Sequence, residues 1–298
     1  ARVAQWRRRG AAVELLSARE VDLLTGSARY CGGLLDRRGG TVQPLSYVRG
    51  LARAVARSGG RVCVHSPAVR LRRAAREWHI ETPAGSVTAP TVIVATNAYS
   101  GALIGALRRS IIAVPSFQVA TVPLTVRQRE RILPGGQAAS DTWHLLRYFR
   151  LDTTGRLVLG ARGTFGAVPG PGSCRHHYRA VFEIYPQLTG IAFEYHWGGL
   201  VAMTRDHLPH LHELAPGLLA GLGYNGRGVA MATLMGRLLA QRTLGMSDAE
   251  LAFPVTPVRP IPFHRASSLA ARGAIQYLRA VDGLARIHAR LRRDSPWT

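Results

Sequence analysis

The feature that most constrains this chain is a glycine loop set between a strand pattern and a helix pattern. Leu218-Leu219-Ala220 leads into Gly221-Leu222-Gly223-Tyr224-Asn225-Gly226-Arg227-Gly228, and a helical pattern then runs to about Leu244. Gly221, Gly223 and Gly226 match G-x-G-x-x-G, the arrangement that lets a backbone approach a ligand closely at a helix N-terminus. Free N–H groups and a partial positive charge there favour an anionic or electron-rich ligand. A dinucleotide fingerprint should open a βαβ unit and meet an acidic residue at the end of the next strand, roughly 20 residues on. Asp248 and Glu250 lie near that distance, but no strand pattern precedes them. A tight structural turn is the alternative reading of the loop.

The rest of the composition excludes several chemistries. The basic side chains number 39 and all are arginine, since the sequence contains no lysine. Schiff-base catalysis, the P-loop and the protein-kinase site each need a lysine and are ruled out. The formal net charge of +22 raises the question of a polyanion partner. The arginines fall in scattered clusters (7–9, 37–38, 70–76, 127–131, 286–293) rather than one block, which reads as compositional bias and not as a nucleic-acid footprint. No apolar run reaches the length of a membrane span. Cys31, Cys63 and Cys174 are widely separated and odd in number, which predicts a reducing, cytoplasmic compartment. The chain opens without Met, in mid-helix pattern and without a signal peptide, which suggests an excised or incomplete chain.

Along the chain, Ser17-x-x-Glu20 is a capping box that predicts a helix over 18–24, ended by Gly26. Pro44 opens an amphipathic helix with Leu45, Val48, Leu51, Ala52 and Val55 on one face and Gly59-Gly60 as its stop. Strands are predicted over 61–65, 68–73 and 78–82, with a turn at 83–85. The continuous apolar run 91–95 predicts a strand buried on both faces. Further strands are predicted over 117–124, 145–151, 156–162 and 193–203, with a hairpin turn at 152–155. A helix is predicted over 176–185, an extended wrap from Phe253 and a basic helical tail over 267–293.

The remaining chemical clusters are weak. Asp206-His207-x-x-His210-x-His212 has metal-like composition, but Pro209 breaks a shared helical face and no second cluster completes a ligand set, so no metal is expected. His176-His177 opens a polar helix and is expected to face solvent. Trp197-Gly198-Gly199 reads as core packing or a cofactor wall. G-x-S-x-G is absent, which removes support for a hydrolase of that type.

Several stretches, taken in order, resemble the D-amino-acid-oxidase/glycine-oxidase superfamily. Gly39 to Leu51 is similar to its loop-Pro-helix entry, and Ala95-Thr96-Asn97-Ala98-Tyr99 to its flavin-domain element. Arg147-Tyr148-Phe149-Arg150 followed by 155–160 resembles its substrate-domain hairpin. Thr204-x-Asp206-x-x-Pro209 followed by 221–228 resembles its C-terminal flavin-binding signature. Within the superfamily the chain looks most like the gamma-glutamylputrescine oxidoreductase-like branch.

The resemblance implies a mixed α/β (α+β) fold with a partial Rossmann-like FAD-binding domain and a β-rich substrate domain. On it, 1–110 is the remainder of the FAD-binding domain, 111–200 the substrate domain, 201–250 the C-terminal part of the FAD-binding domain and 251–298 a tail. It implies FAD as cofactor, a small-molecule amine as substrate, and oxidation of a CH–NH bond with O2 as acceptor. The residues implied for the cofactor are Val69, Thr96, Asn97, Gly221, Gly223, Tyr224, Asn225, Gly226, Arg227, Gly228 and Val229. Arg227 takes a position often held by His in the family, and Val69 would reach the adenine through its backbone. Tyr148, Arg150, Trp197 and Tyr224 are expected to line the substrate; no catalytic base is assigned, because alignment of a deprotonated amine suffices. The family's N-terminal glycine-rich strand–loop–helix has no counterpart here, which predicts weakened FAD binding by this chain. The position of the carboxylate-binding Arg of amino-acid-oxidising members is taken by Val201, which favours an amine over a free α-amino acid. Two other expectations stand beside this one: a non-catalytic remnant of such an enzyme, and a basic module for nucleic acid or an anionic surface.

Overall fold

The computed structural model describes residues 2–293. Its helices are α1 (Arg2–Arg7), α2 (Ala18–Thr25), α3 (Pro44–Arg57), α4 (Gly105–Arg109), α5 (Val126–Arg129), α6 (Arg175–Ile184), α7 (Gly228–Thr243) and α8 (His264–Arg293). Its strands are β1 (Val13–Ser17), β2 (Gly32–Asp36), β3 (Arg70–Ala74), β4 (Glu77–Thr82), β5 (Gly85–Ala89), β6 (Val92–Val94), β7 (Ile112–Pro123), β8 (Ala139–Ser140), β9 (Tyr148–Leu151), β10 (Arg156–Arg162), β11 (Phe193–Met203), β12 (His210–Ala215) and β13 (Leu218–Leu222). They form two compact units. One comprises the residues up to Tyr47, Ser116–Gly199 and those from Gln276 onward; the other comprises Val48–Pro115 and Leu200–Ile275.

The first unit is built on a five-stranded sheet in the order β11-β7-β10-β9-β8. Alternation in β7 and β10 turns Phe117, Val119, Leu157 and Leu159 to one face, where they pack with Val181, Ile184 and Tyr185 of α6 and the residue after it. The 152–155 turn forms as expected, with Gly155 in the left-handed region at φ 82°. Helix α2 carries the full capping box: Ser17 Oγ accepts from Glu20 N–H at 3.3 Å, the Glu20 carboxylate accepts from Ser17 N–H at 2.7 Å, and Gly26 closes the helix at φ 72°. The Tyr185 hydroxyl, donating to Thr25 O at 2.8 Å, ties this corner to α6.

Two polar devices sit inside this unit. Arg147 is buried and donates through Nε to Asp141 at 2.6 Å and through Nη1 to Glu183 at 2.8 Å. Burial opposes its charge, but these two carboxylates outweigh that and raise its pKa. Asp282 on the tail helix is also buried. It accepts from His144 Nδ1 at 2.8 Å and from the backbone N–H groups of His144 and Leu145 at 3.3 and 3.0 Å. The tail is therefore helical as expected, begins earlier, and is anchored by one carboxylate.

The second unit holds two three-stranded sheets. In one, β13 pairs antiparallel with β12 and parallel with β6; in the other, β3, β4 and β5 form an antiparallel meander. Met235, Leu238 and Leu239 of α7 pack on Leu211 and Leu219. Trp78 Nε1–H donates to Pro216 O at 3.1 Å and fastens the meander to the β12–β13 turn.

Three expectations fail on physical grounds. Residues 61–65 form no strand, because no neighbouring strand among the described residues pairs with them, and Val62 and Val64 stay exposed. The apolar run at β6 is not buried on both faces: Val94 is buried but Ile93 is 42% exposed. His177 does not face solvent. It is fully buried against Phe117, with Nε2 bonded to Phe117 O at 3.1 Å, because it lies one residue on from the exposed His176 and so turns into the sheet. Helix α3 forms where expected, but its apolar residues Leu45, Val48, Leu51 and Val55 are all exposed. Among the described residues no helix is long and apolar enough to cross a membrane.

Two outcomes follow from the buried charges. Arg147→Met leaves Asp141 and Glu183 without their cation and should lower unfolding stability by about 3–5 kcal/mol, read as a lower urea midpoint. Burial depresses the His177 imidazole from 6.5 to about 4. Below pH 6.5 the unfolded chain binds a proton there that the folded chain refuses, so this contribution to stability is present above that pH and is lost as pH falls towards about 4. His177→Gln should flatten the stability profile across that window; an unchanged profile would show that other groups set the acid limb.

Candidate functional site

The glycine loop follows β13 directly and ends at the first residue of α7. Gly221 and Leu222 belong to the strand, so the loop proper is 223–227. Close packing explains the first two glycines. A side chain at Gly221 would meet Met235 of α7 at 2.5 Å, and one at Gly223, which also has φ 79°, would collide with Thr204. Gly226, at φ 90°, has open space beside it. Helix α7 has no side-chain cap: Arg227 occupies the N-cap position, is exposed, and makes no capping hydrogen bond.

The loop is braced by side-chain amides. Gly223 N–H donates to Asn97 Oδ1 at 3.0 Å, which joins the loop to the residue that leaves β6. Asn225, at φ 50°, accepts on Oδ1 from Thr204 N–H at 2.9 Å and donates through Nδ2 to Thr204 Oγ1 at 3.0 Å and to Gly223 O. The Thr204 hydroxyl donates to Leu208 O at 2.8 Å. Thr-x-Asp and the glycine loop are therefore one hydrogen-bonded object. Asp206 Oδ1 caps its own turn, accepting from Leu208 N–H at 3.1 Å, and meets His210 Nε2 at 3.2 Å. His212 Nδ1 bonds Thr256 O at 2.6 Å. Within the metal-like cluster His212 thus holds backbone and His210 holds the Asp206 and Thr256 side chains, and among the described residues no group of three or more such side chains is placed to hold an ion.

The other predicted cofactor residues fall in the same unit. Thr96 is exposed and its Oγ1 bonds Ser100 Oγ at 3.0 Å. Val69 is exposed; its N–H is engaged with Glu81 O at 2.8 Å, which leaves its carbonyl as the polar group to offer. Val229 is exposed on the first turn of α7. Tyr224 is placed differently from a substrate wall. Its ring is buried among Leu211, Leu219 and Met235, and burial pushes its hydroxyl pKa up. A residue starting the tight turn under α7 has only the core to turn into.

The substrate candidates Tyr148, Arg150 and Trp197 lie in the first unit, on β9 and β11. Tyr148 lies across β10, where a side chain at Gly160 would overlap its ring. Its hydroxyl accepts from Gln118 Nε2 at 2.7 Å and shares a hydrogen with Ser116 Oγ at 2.8 Å. Trp197 is 43% exposed. Sequence reasoning missed Ser116 and Gln118. The available signal was alternation: Phe117 and Val119 face the core, so Ser116 and Gln118 face away from it.

Residues 1–242 match the family described as FAD dependent oxidoreductase (DAO), and the chain belongs to it. It is 34% identical over 222 residues to a probable oxidoreductase OrdL of Rhizobium meliloti, covering 74% of this chain and 51% of that one. It is 31% identical over 276 residues to the gamma-glutamylputrescine oxidoreductase of Escherichia coli, covering 91% of this chain and 65% of that protein. The chain thus spans about half to two thirds of the length of these relatives. In fold it is similar to glycine oxidase from Geobacillus kaustophilus, with TM-score 0.72 at 21% identity over 86% of this chain and 69% of that one. The expected mixed α/β fold of the superfamily is confirmed.

Asn97→Ala removes the acceptor of a buried backbone N–H. Stability should fall by about 1–3 kcal/mol, and the Gly223 amide should exchange with solvent faster than its neighbours in β13. Unchanged exchange at Gly223 would mean that the loop is held by Asn225 alone.

Proposed function

We propose that this chain carries the substrate sheet and the C-terminal cofactor-binding part of an FAD-dependent amine oxidoreductase. The observation that carries the reading is the uncapped N-terminus of α7 behind a loop pinned by Asn97 and Asn225. The residues fit the group: α7 offers unpaired N–H donors, Gly226 leaves room for close approach, and Arg227 adds a fixed cation beside them. When bound, FAD supplies the two-electron acceptor for oxidising the CH–NH bond of an amine to an imine, with O2 as terminal acceptor. Gly223, Tyr224, Asn225, Gly226, Arg227, Gly228 and Val229 would hold it from the α7 side, Gly221 by letting α7 pack closely on β13. Thr96, Asn97 and the Val69 carbonyl would hold it from the β6 and β3 side.

The helix N-terminus and Arg227 stabilise negative charge that develops next to them. Tyr148, Arg150 and Trp197 line the substrate, and Tyr224 supports the loop from beneath. Val201 cannot pair a carboxylate, which supports an amine over a free α-amino acid. The name of the Escherichia coli relative points to a gamma-glutamylputrescine-like amine. The three free cysteines support a reducing, cytoplasmic setting.

The test is reconstitution of the purified protein with FAD, followed by dialysis and the visible flavin spectrum. Bound flavin is expected, with Arg227→Ala weakening its affinity about fivefold while the fold is retained. Protein that keeps no flavin, or an Arg227→Ala variant with unaltered affinity, would count against the reading.

A further inference from the structure

Two helical faces of the first unit look onto one cavity. On α6, His176, Arg179 and Glu183 recur at i, i+3 and i+7; on α8, Arg279, Asp282 and Gly283 recur at i, i+3 and i+4. With Arg147 and Arg162 they line a cavity of about 310 Å³. It lies on the α6 side of the five-stranded sheet, where Ala161 and Ala180 also border it, and away from the face that carries Tyr148, Ser116 and Gln118.

The charge of this cavity is one-sided. Its two carboxylates are directed to other partners. Glu183 accepts from Arg147 Nη1 at 2.8 Å, and Arg147 is also held by Asp141. Asp282, 3% exposed, accepts from His144 Nδ1 and from the backbone N–H groups of His144 and Leu145. Arg162, Arg179 and Arg279 come to the cavity from β10, α6 and α8, and among the described residues no carboxylate lies within ion-pair distance of them. His176 senses the resulting field. Its Nε2–H donates to Arg162 O at 2.9 Å, yet withdrawal from solvent and the nearby Arg279 charge lower the imidazole pKa. Cations gathered at one cavity repel each other unless an anion lies among them. The α8 wall is also kept open. Glycine is disfavoured inside a helix, and a side chain at Gly283 would meet nothing within 4 Å.

We propose that this cavity binds a phosphate group, as the free ion or as a small phosphomonoester, and that the bound anion fastens α8 to α6. A phosphate presents several acceptor oxygens in different directions, so guanidinium groups arriving from separate elements can each take one. A planar carboxylate is matched by a single guanidinium fork and leaves the others unanswered. The volume is at the small end of ligand pockets, which suits a phosphate with a short organic group. This site is independent of the glycine loop and of the reading given to it.

The experiment is titration of the full chain with inorganic phosphate and with glycerol phosphate at constant ionic strength, followed by calorimetry and by hydrogen exchange. Binding is expected, with slower exchange in α6 and in residues 276–285. The double variant Arg179→Gln/Arg279→Gln should weaken binding at least about tenfold. Gly283→Leu keeps every charge but fills the space, and should weaken it to a similar degree. Arg127→Gln on α5 and Arg227→Ala before α7 should bind as wild type. Melting curves verify folding; the charge variant and the filling variant act by different routes, so either one tests the site if the other does not fold. Tighter binding of glycerol phosphate supports the ester as ligand, and tighter binding of phosphate supports the free ion. Exchange in α6 that phosphate leaves unaltered, or wild-type binding by the charge or the filling variant, would overturn the proposal. So would equal weakening by Arg127→Gln, which marks diffuse charge, or by Arg227→Ala, which places the anion at the glycine loop. Glutarate bound as tightly as phosphate would overturn it as well.

Discussion

The second unit depends on the hydrogen bond from Gly223 N–H to the Asn97 side chain. It joins the end of β6 to the end of β13, two parallel strands whose exits would otherwise diverge into separate loops. Parallel pairing places both exits at one edge of the sheet, where ligands of α/β folds collect. Asn225 then turns the loop back through Thr204, so that the start of α7 is held by side-chain amides and not by a cap of its own. An N-cap serine or aspartate would satisfy the helix and occupy its first N–H donors; an exposed arginine there leaves those donors available.

The two units solve the same packing problem by different means. In the second, glycines are removed obstacles: Gly221 and Gly223 let α7 and Thr204 come within contact of the backbone. In the first, Gly160 does this for a side chain, admitting the Tyr148 ring over β10 and setting its hydroxyl between Ser116 and Gln118. Charge is handled just as economically. Arg147 and Asp282 are buried only because each is met by donors or acceptors on more than one side. The wide surplus of arginine therefore stays compatible with a stable interior.

Much of this is legible in the sequence. The capping box at Ser17, the 152–155 turn, β10 and β11, and the order strand–glycine loop–helix all rest on local rules, and the structure follows them. What failed depends on neighbours. Residues 61–65 have strand-like composition, yet a strand needs a partner, and none among the described residues supplies one. Ile93 looked like a doubly buried residue because an apolar run does not say which of its faces is covered. His177 reads as a surface residue beside His176, but adjacent helical residues point about 100° apart, and here that step turns it into the sheet. Tyr224 sits within a ligand-binding motif but turns into the core, which the motif's spacing cannot reveal.

The same distinction bears on the sheet face that carries Tyr148. Tyr148 stood out because it belongs to a hairpin with a familiar outline. Arg162 did not, since one arginine among 39 carries no local signal. Its difference is relational. Paired across from Ser116, in the sheet where Gln118 orients the Tyr148 hydroxyl, it acquires its surroundings only after β7, β9 and β10 are brought together. Compositional bias supplies arginine everywhere; the sheet decides which of them is drawn out of water.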